Sequence, residues 1–135
     1  MPVMTSVRDI MTSDLISVKT TDQVIVAIEL MTKNDIGSVV VTEDEKPVGI
    51  LTERDILKKV CAKELSAKAV TAREVMSKPL ITIEADSRLG EAALLMTRKD
   101  VRRLLVIDKE KVVGIITQKD ITRGTLETLM VLASI

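Results

Sequence analysis

The same stretch of chain occurs twice, 65 positions apart, so any fold for this sequence must accommodate two copies of one unit. The run Val7 to Met11 (VRDIM) returns as Ala72 to Met76 (AREVM), Asp35-Ile36 as Asp100-Val101, and Gly49 to Asp55 (GILTERD) as Gly114 to Asp120 (GIITQKD). About a third of the paired positions are identical, and apolar positions often exchange one aliphatic residue for another, so each copy is one supersecondary unit. Two such copies imply a pseudo-twofold body. Shared chemistry then belongs at positions that recur, and specificity at positions that differ.

Each copy has the same internal order. A short helical turn opens it behind a capping pattern, Ser6-x-x-Asp9 or Thr71-x-x-Glu74. A short aliphatic strand follows, Leu15 to Val18 or Leu80 to Ile83. Next comes an amphipathic helix whose apolar stripe is Val24, Ala27, Ile28 and Met31 in one copy and Leu89, Ala92, Ala93 and Met96 in the other. Thr20-x-x-Gln23 is placed to cap the first of these. Two β-branched runs around a polar turn then predict a hairpin, Val39 to Thr42 with Val48 to Leu51, and Leu104 to Ile107 with Val112 to Ile116. Thr52 and Thr117 end the hairpins and begin another helix. The fold class is α+β, a mixed α/β architecture of two β-α-β-β-α repeats. The first spans 6–60 and the second 71–124, joined by a linker at 61–70 and followed by a C-terminal helix at 125–135.

Composition removes several functions. The chain has 135 residues, 20 Lys+Arg against 20 Asp+Glu, and no Trp, Tyr, Phe or His. Without aromatic residues there is no stacking platform for single-stranded nucleic acid, and without net charge no global field draws the chain to DNA, RNA or an anionic membrane. Histidine general bases and His-Cys zinc sites are excluded. Cys61 is the sole cysteine, so no internal disulfide forms, and a reducing cytoplasm is the expected location. No basic segment leading into a long apolar run marks a signal peptide or a membrane span. Leu126, Leu129, Met130 and Ala133 share one helical face, suited to packing within the module or between subunits.

The recurring Gly-h-h-Thr-x-x-Asp segment, where h is aliphatic, carries the most chemistry. Its glycine permits close approach to the backbone, and the helix start offers unpaired N–H groups to an anion. The carboxylate of Asp55 or Asp120 can accept both hydroxyls of a ribose, each charge-assisted bond contributing about 1.5–3 kcal/mol. The same Thr-x-x-Asp is equally an N-terminal capping box present for stability alone.

With these motifs the chain resembles a tandem pair of CBS domains, a Bateman module, over nearly everything from Ser6 to Thr122. The resemblance implies two repeats packed with pseudo-twofold symmetry around two clefts that bind adenosine compounds: AMP, ADP, ATP or S-adenosylmethionine. It implies further that Gly-h-h-Thr-x-x-Asp of one repeat holds ribose and phosphate while the base lies against the first strand and early hairpin of the other. By position, one cleft combines Thr52, Arg54 and Asp55 with Met76, Ile81, Val101, Arg102 and Arg103. The other combines Thr117, Lys119 and Asp120 with Met11, Ile16, Ile36, Gly37 and Ser38. Because Arg102-Arg103 corresponds to Gly37-Ser38, the cleft around Asp55 is expected to be the more basic. Met11, Met76, Ile16 and Ile81 serve either as apolar walls for a purine or as core residues.

No nucleophile, base or metal cluster assembles in the sequence, so the chain is read as non-catalytic. The expected function is a regulatory module sensing an adenosine nucleotide, with no required cofactor and with Mg²⁺ as the ion that would accompany the nucleotide. The expected partners are a second copy in a homodimer and an unidentified regulated protein, with no membrane and with nucleic acid only a third choice, weakened by zero net charge and the missing aromatic residues. The rival function is an interaction or dimerisation scaffold with no physiological ligand.

Overall fold

The computed structural model describes residues 6–78 and 80–134. The elements run α1 (Val7–Ile10), β1 (Ser17–Lys19), α2 (Val24–Asn34), β2 (Ser38–Glu43), β3 (Lys46–Thr52) and α3 (Glu53–Ile56), the last continuing into a π-helical turn at Leu57–Cys61. They resume as α4 (Ala72–Val75), β4 (Thr82–Glu84), α5 (Leu89–Lys99), β5 (Arg103–Asp108), β6 (Lys111–Thr117) and α6 (Gln118–Ala133). Two similar β-α-β-β-α units result. In each, the first strand pairs in parallel with the second, which pairs antiparallel with the third, giving the orders β1-β2-β3 and β4-β5-β6. The parallel pair needs a crossover, supplied by α2 or α5.

Local chemistry accounts for most boundaries. The hairpin turns place Asp44 and Glu45, and again Lys109 and Glu110, at positive φ, as a type I′ turn requires of its two central residues. Asp35 and Asp100 end α2 and α5 in the left-handed region, a conformation that aspartate tolerates better than most residues. The lead-in strands begin two residues later than their aliphatic runs, where Ser17 and Thr82 first find partners on β2 and β5. The expected C-terminal helix is no separate element: α6 is continuous from Gln118 to Ala133, while Ile135 lies outside the described residues.

The capping of α2 departs from expectation. Gln23, not Thr20, is the N-cap residue and makes no side-chain cap bond. The first helical N–H groups are instead satisfied from a distance, Val24 donating to the Val70 carbonyl at 2.9 Å and Ile25 to that of Ala67 at 3.0 Å. Thr20 is buried, and its own N–H donates to the Thr42 carbonyl at 2.9 Å. The end of the 61–70 stretch is therefore tied to α2, Val70 lying in the same core and Ala67 packing on it, while most of the stretch is exposed.

The chain divides into two compact units, and the division does not follow the repeats. One unit is Leu15–Leu80; the other takes the described residues up to Asp14 together with those from Ile81 onward. The lead-in of each repeat thus folds with the sheet of the other repeat. In the unit of residues 15–80, Val18, Met31, Val39, Val41, Leu51, Val75 and Met76 share one core. In its counterpart, Val7, Ile10, Ile83, Met96, Leu104, Val106 and Ile116 do so.

Three kinds of contact hold each lead-in. Its last residues form an antiparallel bridge with the outer strand: Ser77 and Ile50 exchange N–H···O bonds of 2.7 and 3.1 Å, and Thr12 and Ile115 exchange two of 2.9 Å. An arginine at the same place in both lead-ins pairs with the carboxylate that ends the middle strand, Arg73 with Glu43 and Arg8 with Asp108 at 3.1 Å. Arg8 also reaches Asp86 at 3.3 Å, and hydrogen bonds to Asp108 first and Asp86 second raise its pKa above the ordinary guanidinium value. Finally, the methionine seats on a glycine. A Cβ at Gly49 would come 2.5 Å from the Met76 sulfur and 3.1 Å from the Ser77 carbonyl oxygen, and one at Gly114 would come 2.7 Å from the Met11 sulfur and 2.8 Å from the Thr12 carbonyl oxygen.

Gly49→Ala and Gly114→Ala are therefore each expected to destabilise the protein by about 1–3 kcal/mol, the usual cost of forcing atoms into a filled site. Gly90→Ala is the control. Nothing lies within 4 Å of a Cβ there, and replacing a helical glycine should gain roughly 0.5–1 kcal/mol. Urea unfolding midpoints check both, and equal midpoints for all three variants would contradict the close-approach role of Gly49 and Gly114.

Candidate functional site

The recurring Thr-x-x-Asp motif closes the third strand of each unit with a two-way cap. The Asp55 N–H donates to the Thr52 hydroxyl at 3.1 Å while the Thr52 N–H donates to Asp55 Oδ2 at 3.0 Å. In the other unit the Asp120 N–H donates to the Thr117 hydroxyl at 3.2 Å and the Thr117 N–H to Asp120 Oδ2 at 2.9 Å. Each turn is also tied to the residues that open the middle strand of its own repeat. Glu53 N–H donates to the Gly37 carbonyl at 3.1 Å, and Gln118 N–H to the Arg102 carbonyl at 2.8 Å. Ser38 lies opposite Thr52 on the sheet, and Arg103 opposite Thr117.

Beyond this shared frame the two aspartates differ. Asp55 is 7 % exposed, and its oxygens are fully engaged. The Thr52 hydroxyl donates to Oδ2 at 3.0 Å, the Ser77 hydroxyl to Oδ1 at 2.6 Å, and Lys59 Nζ lies 3.2 Å from Oδ1. Lys59 donates as well to the Val75 carbonyl at 3.0 Å. Asp120, whose side chain is 13 % exposed against 9 % for Asp55, has the Thr117 N–H on Oδ2 and, among the described residues, an ion pair of 3.5 Å with the exposed Arg123 on Oδ1.

The expected site residues fall into two groups. Thr52, Arg54, Asp55 and Met76 belong to the unit of residues 15–80, together with Ile16, Ile36, Gly37 and Ser38. Thr117, Lys119, Asp120 and Met11 belong to the other, together with Ile81, Val101, Arg102 and Arg103. Met76 is buried in its unit's core, and Ile16 and Ile36 pack on that core. Met11, Ile81 and Val101 pack on the core of the other unit. Sequence reasoning missed Lys59 and Ser77. The 65-residue register carried a signal for the first, pairing Lys59 with Gly124, but not for the second, because Ser77 pairs with Thr12 and both carry a hydroxyl.

Among the described residues no group of three or more Cys, Asp or Glu side chains is placed to hold a metal ion. Nor is any helix among them long and apolar enough to cross a membrane. Two β-α-β-β-α units, each closed by the same capped turn and each completed by the other repeat's lead-in, define a tandem-repeat module. The chain belongs to the CBS domain family, whose model matches residues 7–62 and again 72–127. It is 40 % identical over 118 residues to an uncharacterized protein of Methanopyrus kandleri, covering 86 % of this chain and 60 % of that protein. An uncharacterized protein of Methanocaldococcus jannaschii is 37 % identical over 132 residues, covering 88 % of this chain and 31 % of its own length. The chain thus spans less than two thirds of either relative. Among solved structures it is similar to an uncharacterized conserved protein from Pyrococcus horikoshii, with a TM-score of 0.84 and 30 % identity over 93 % of this chain and 95 % of that one.

The capping role carries its own test. Thr52→Ala and Thr117→Ala are each expected to cost about 1 kcal/mol of stability, and the corresponding serine variants much less, because the hydroxyl is the capping atom. Thermal unfolding followed by circular dichroism checks this, and serine variants as unstable as the alanine ones would overturn it.

Proposed function

We propose that this chain is a non-catalytic regulatory module that binds an adenosine nucleotide at its Thr-x-x-Asp turn, changing its association with itself or with a regulated protein. The observation that carries the reading is a carboxylate held at a strand-to-helix junction with a basic residue next to it on the same helix, as Lys119 is beside Asp120, in a capped frame that recurs in the other unit. Carboxylate oxygens accept a ribose diol, and neighbouring cations favour phosphate. Membership of the CBS domain family supports the ligand class. Mg²⁺ would accompany a nucleotide through its phosphates rather than through a protein cage.

A chain without Trp, Tyr or Phe is nearly transparent at 260–280 nm. Adenine retained through purification would therefore dominate the near-ultraviolet spectrum. Calorimetric titration with AMP, ADP, ATP and S-adenosylmethionine is expected to give saturable heat for at least one of them, weakening as salt rises because screening acts on the phosphate contacts. No heat at millimolar ligand, with a protein free of absorbance at 260 nm, would hand the function to an interaction scaffold.

Self-association through α6 is part of the same proposal. Leu126, Leu129, Met130 and Leu132 are all more than half exposed on this helix. Apolar side chains clustered in this way are suited to an isologous contact with a second copy. Leu129→Glu combined with Met130→Glu is expected to lower the molecular mass seen by light scattering to that of one chain. A wild-type protein that is monomeric at every concentration would remove this partner.

A further inference from the structure

We propose that the two repeats have divided the work of their aspartates: Asp55 fastens the lead-in of the second repeat and is closed to ligand, while Asp120 is the carboxylate left to receive the ribose. This rests on the nucleotide-binding function proposed above and assigns it to one of two apparently equivalent turns.

A carboxylate offers about four lone-pair positions. At Asp55 three hydrogen bonds and an ion pair occupy them: the Thr52 N–H, the Thr52 hydroxyl and the Ser77 hydroxyl donate, and Lys59 Nζ lies 3.2 Å from Oδ1. A ribose diol reaching Oδ1 would have to displace the Ser77 hydrogen bond and the Lys59 ion pair. The displacement would also release the end of the lead-in, since Ser77 is bridged to Ile50 and Lys59 donates to the Val75 carbonyl. Asp55 is thus a positioning residue. It anchors through Ser77 the segment whose Met76 fills the space over Gly49.

None of this is reproduced at Asp120. The counterpart of Lys59 is Gly124, which has no side chain to reach Asp120 and packs closely on Ile10, whose Cδ1 would lie 2.7 Å from a Cβ there. Thr12, the counterpart of Ser77, exchanges backbone bonds with Ile115, and the bonds of the Asp120 carboxylate among the described residues are with the Thr117 N–H and Arg123. Oδ1 of Asp120 therefore keeps acceptor positions for a diol, at the cost only of a 3.5 Å pair with exposed Arg123. Basic residues border this same turn. The Arg102 carbonyl holds the Gln118 N–H, and Arg103 sits opposite Thr117, where the other unit has Gly37 and Ser38.

Asparagine at each position gives a matched test, because Asn keeps one capping carbonyl and loses the charge and an acceptor. Binding is read by calorimetry with AMP, and fastening by melting temperature together with hydrogen exchange. Asp120→Asn is expected to weaken AMP at least about 10-fold, the equivalent of roughly 1.4 kcal/mol, with little change in melting. Asp55→Asn and Ser77→Ala are each expected to lower the melting temperature by about 4 °C or more and to speed exchange at the Ile50 and Ser77 amides but not at Thr12 and Ile115. Both should leave AMP affinity within about 3-fold of wild type, a difference of roughly 0.6 kcal/mol. An Asp55→Asn protein that loses AMP while Asp120→Asn retains it would overturn the division, as would unchanged melting and exchange in Asp55→Asn and Ser77→Ala. If the wild-type protein gives no heat with AMP, the ligand role of Asp120 falls with the proposed function. The fastening role of Asp55 then stands or falls on melting and exchange alone.

Discussion

The antiparallel bridge between each lead-in and the outer strand of the other repeat's sheet is the contact on which the rest of the structure depends. It is short, two backbone hydrogen bonds in each unit, yet it fixes several things together. It seats Met76 over Gly49 and Met11 over Gly114, brings Val75 and Ile10 into the cores, and sets the arginine of each lead-in against its carboxylate. A three-stranded sheet with one crossover helix encloses only a small core by itself. Completing it with a segment from elsewhere in the chain adds apolar surface to a small core and satisfies backbone groups of the outer strand.

Duplication followed by divergence then makes two copies of one frame chemically unlike. The capping geometry is the same at both turns to within about 0.1 Å. The difference comes from one sharp substitution in the register, Lys59 for Gly124, and from where a hydroxyl is placed, Ser77 donating to Asp55 at 2.6 Å. Lys59 is partly exposed at 38 %, so its ion pair with Asp55 is screened and weak as a source of stability. Its larger effect is to occupy acceptor positions on a buried carboxylate.

The sequence and the structure agree most closely where interactions are local. The boxes at Ser6-x-x-Asp9 and Thr71-x-x-Glu74 form as spaced, as do those at Thr52 and Thr117, because each joins residues three apart. The hairpins were legible from β-branched runs around polar turns, and the helix stripes from their period. The cap of α2 was not, because the partners of Val24 and Ile25 are carbonyls more than 40 positions away. Nor was the state of Asp55, since Ser77 lies 22 residues beyond it and nothing in local spacing brings the two together.

By itself the sequence determined the duplicated β-α-β-β-α plan, the capped turns, the absence of any histidine or aromatic chemistry, and the positions at which the copies could differ. These follow from periodicity, composition and register, which are one-dimensional properties. Only the tertiary structure decided that each lead-in completes the opposite repeat's sheet, that the glycine of the recurring motif makes room for a methionine, and that one aspartate is saturated while its twin is not. Those outcomes depend on which distant segments meet. A carboxylate's availability is set by the donors that reach it in space, not by the motif in which it is written.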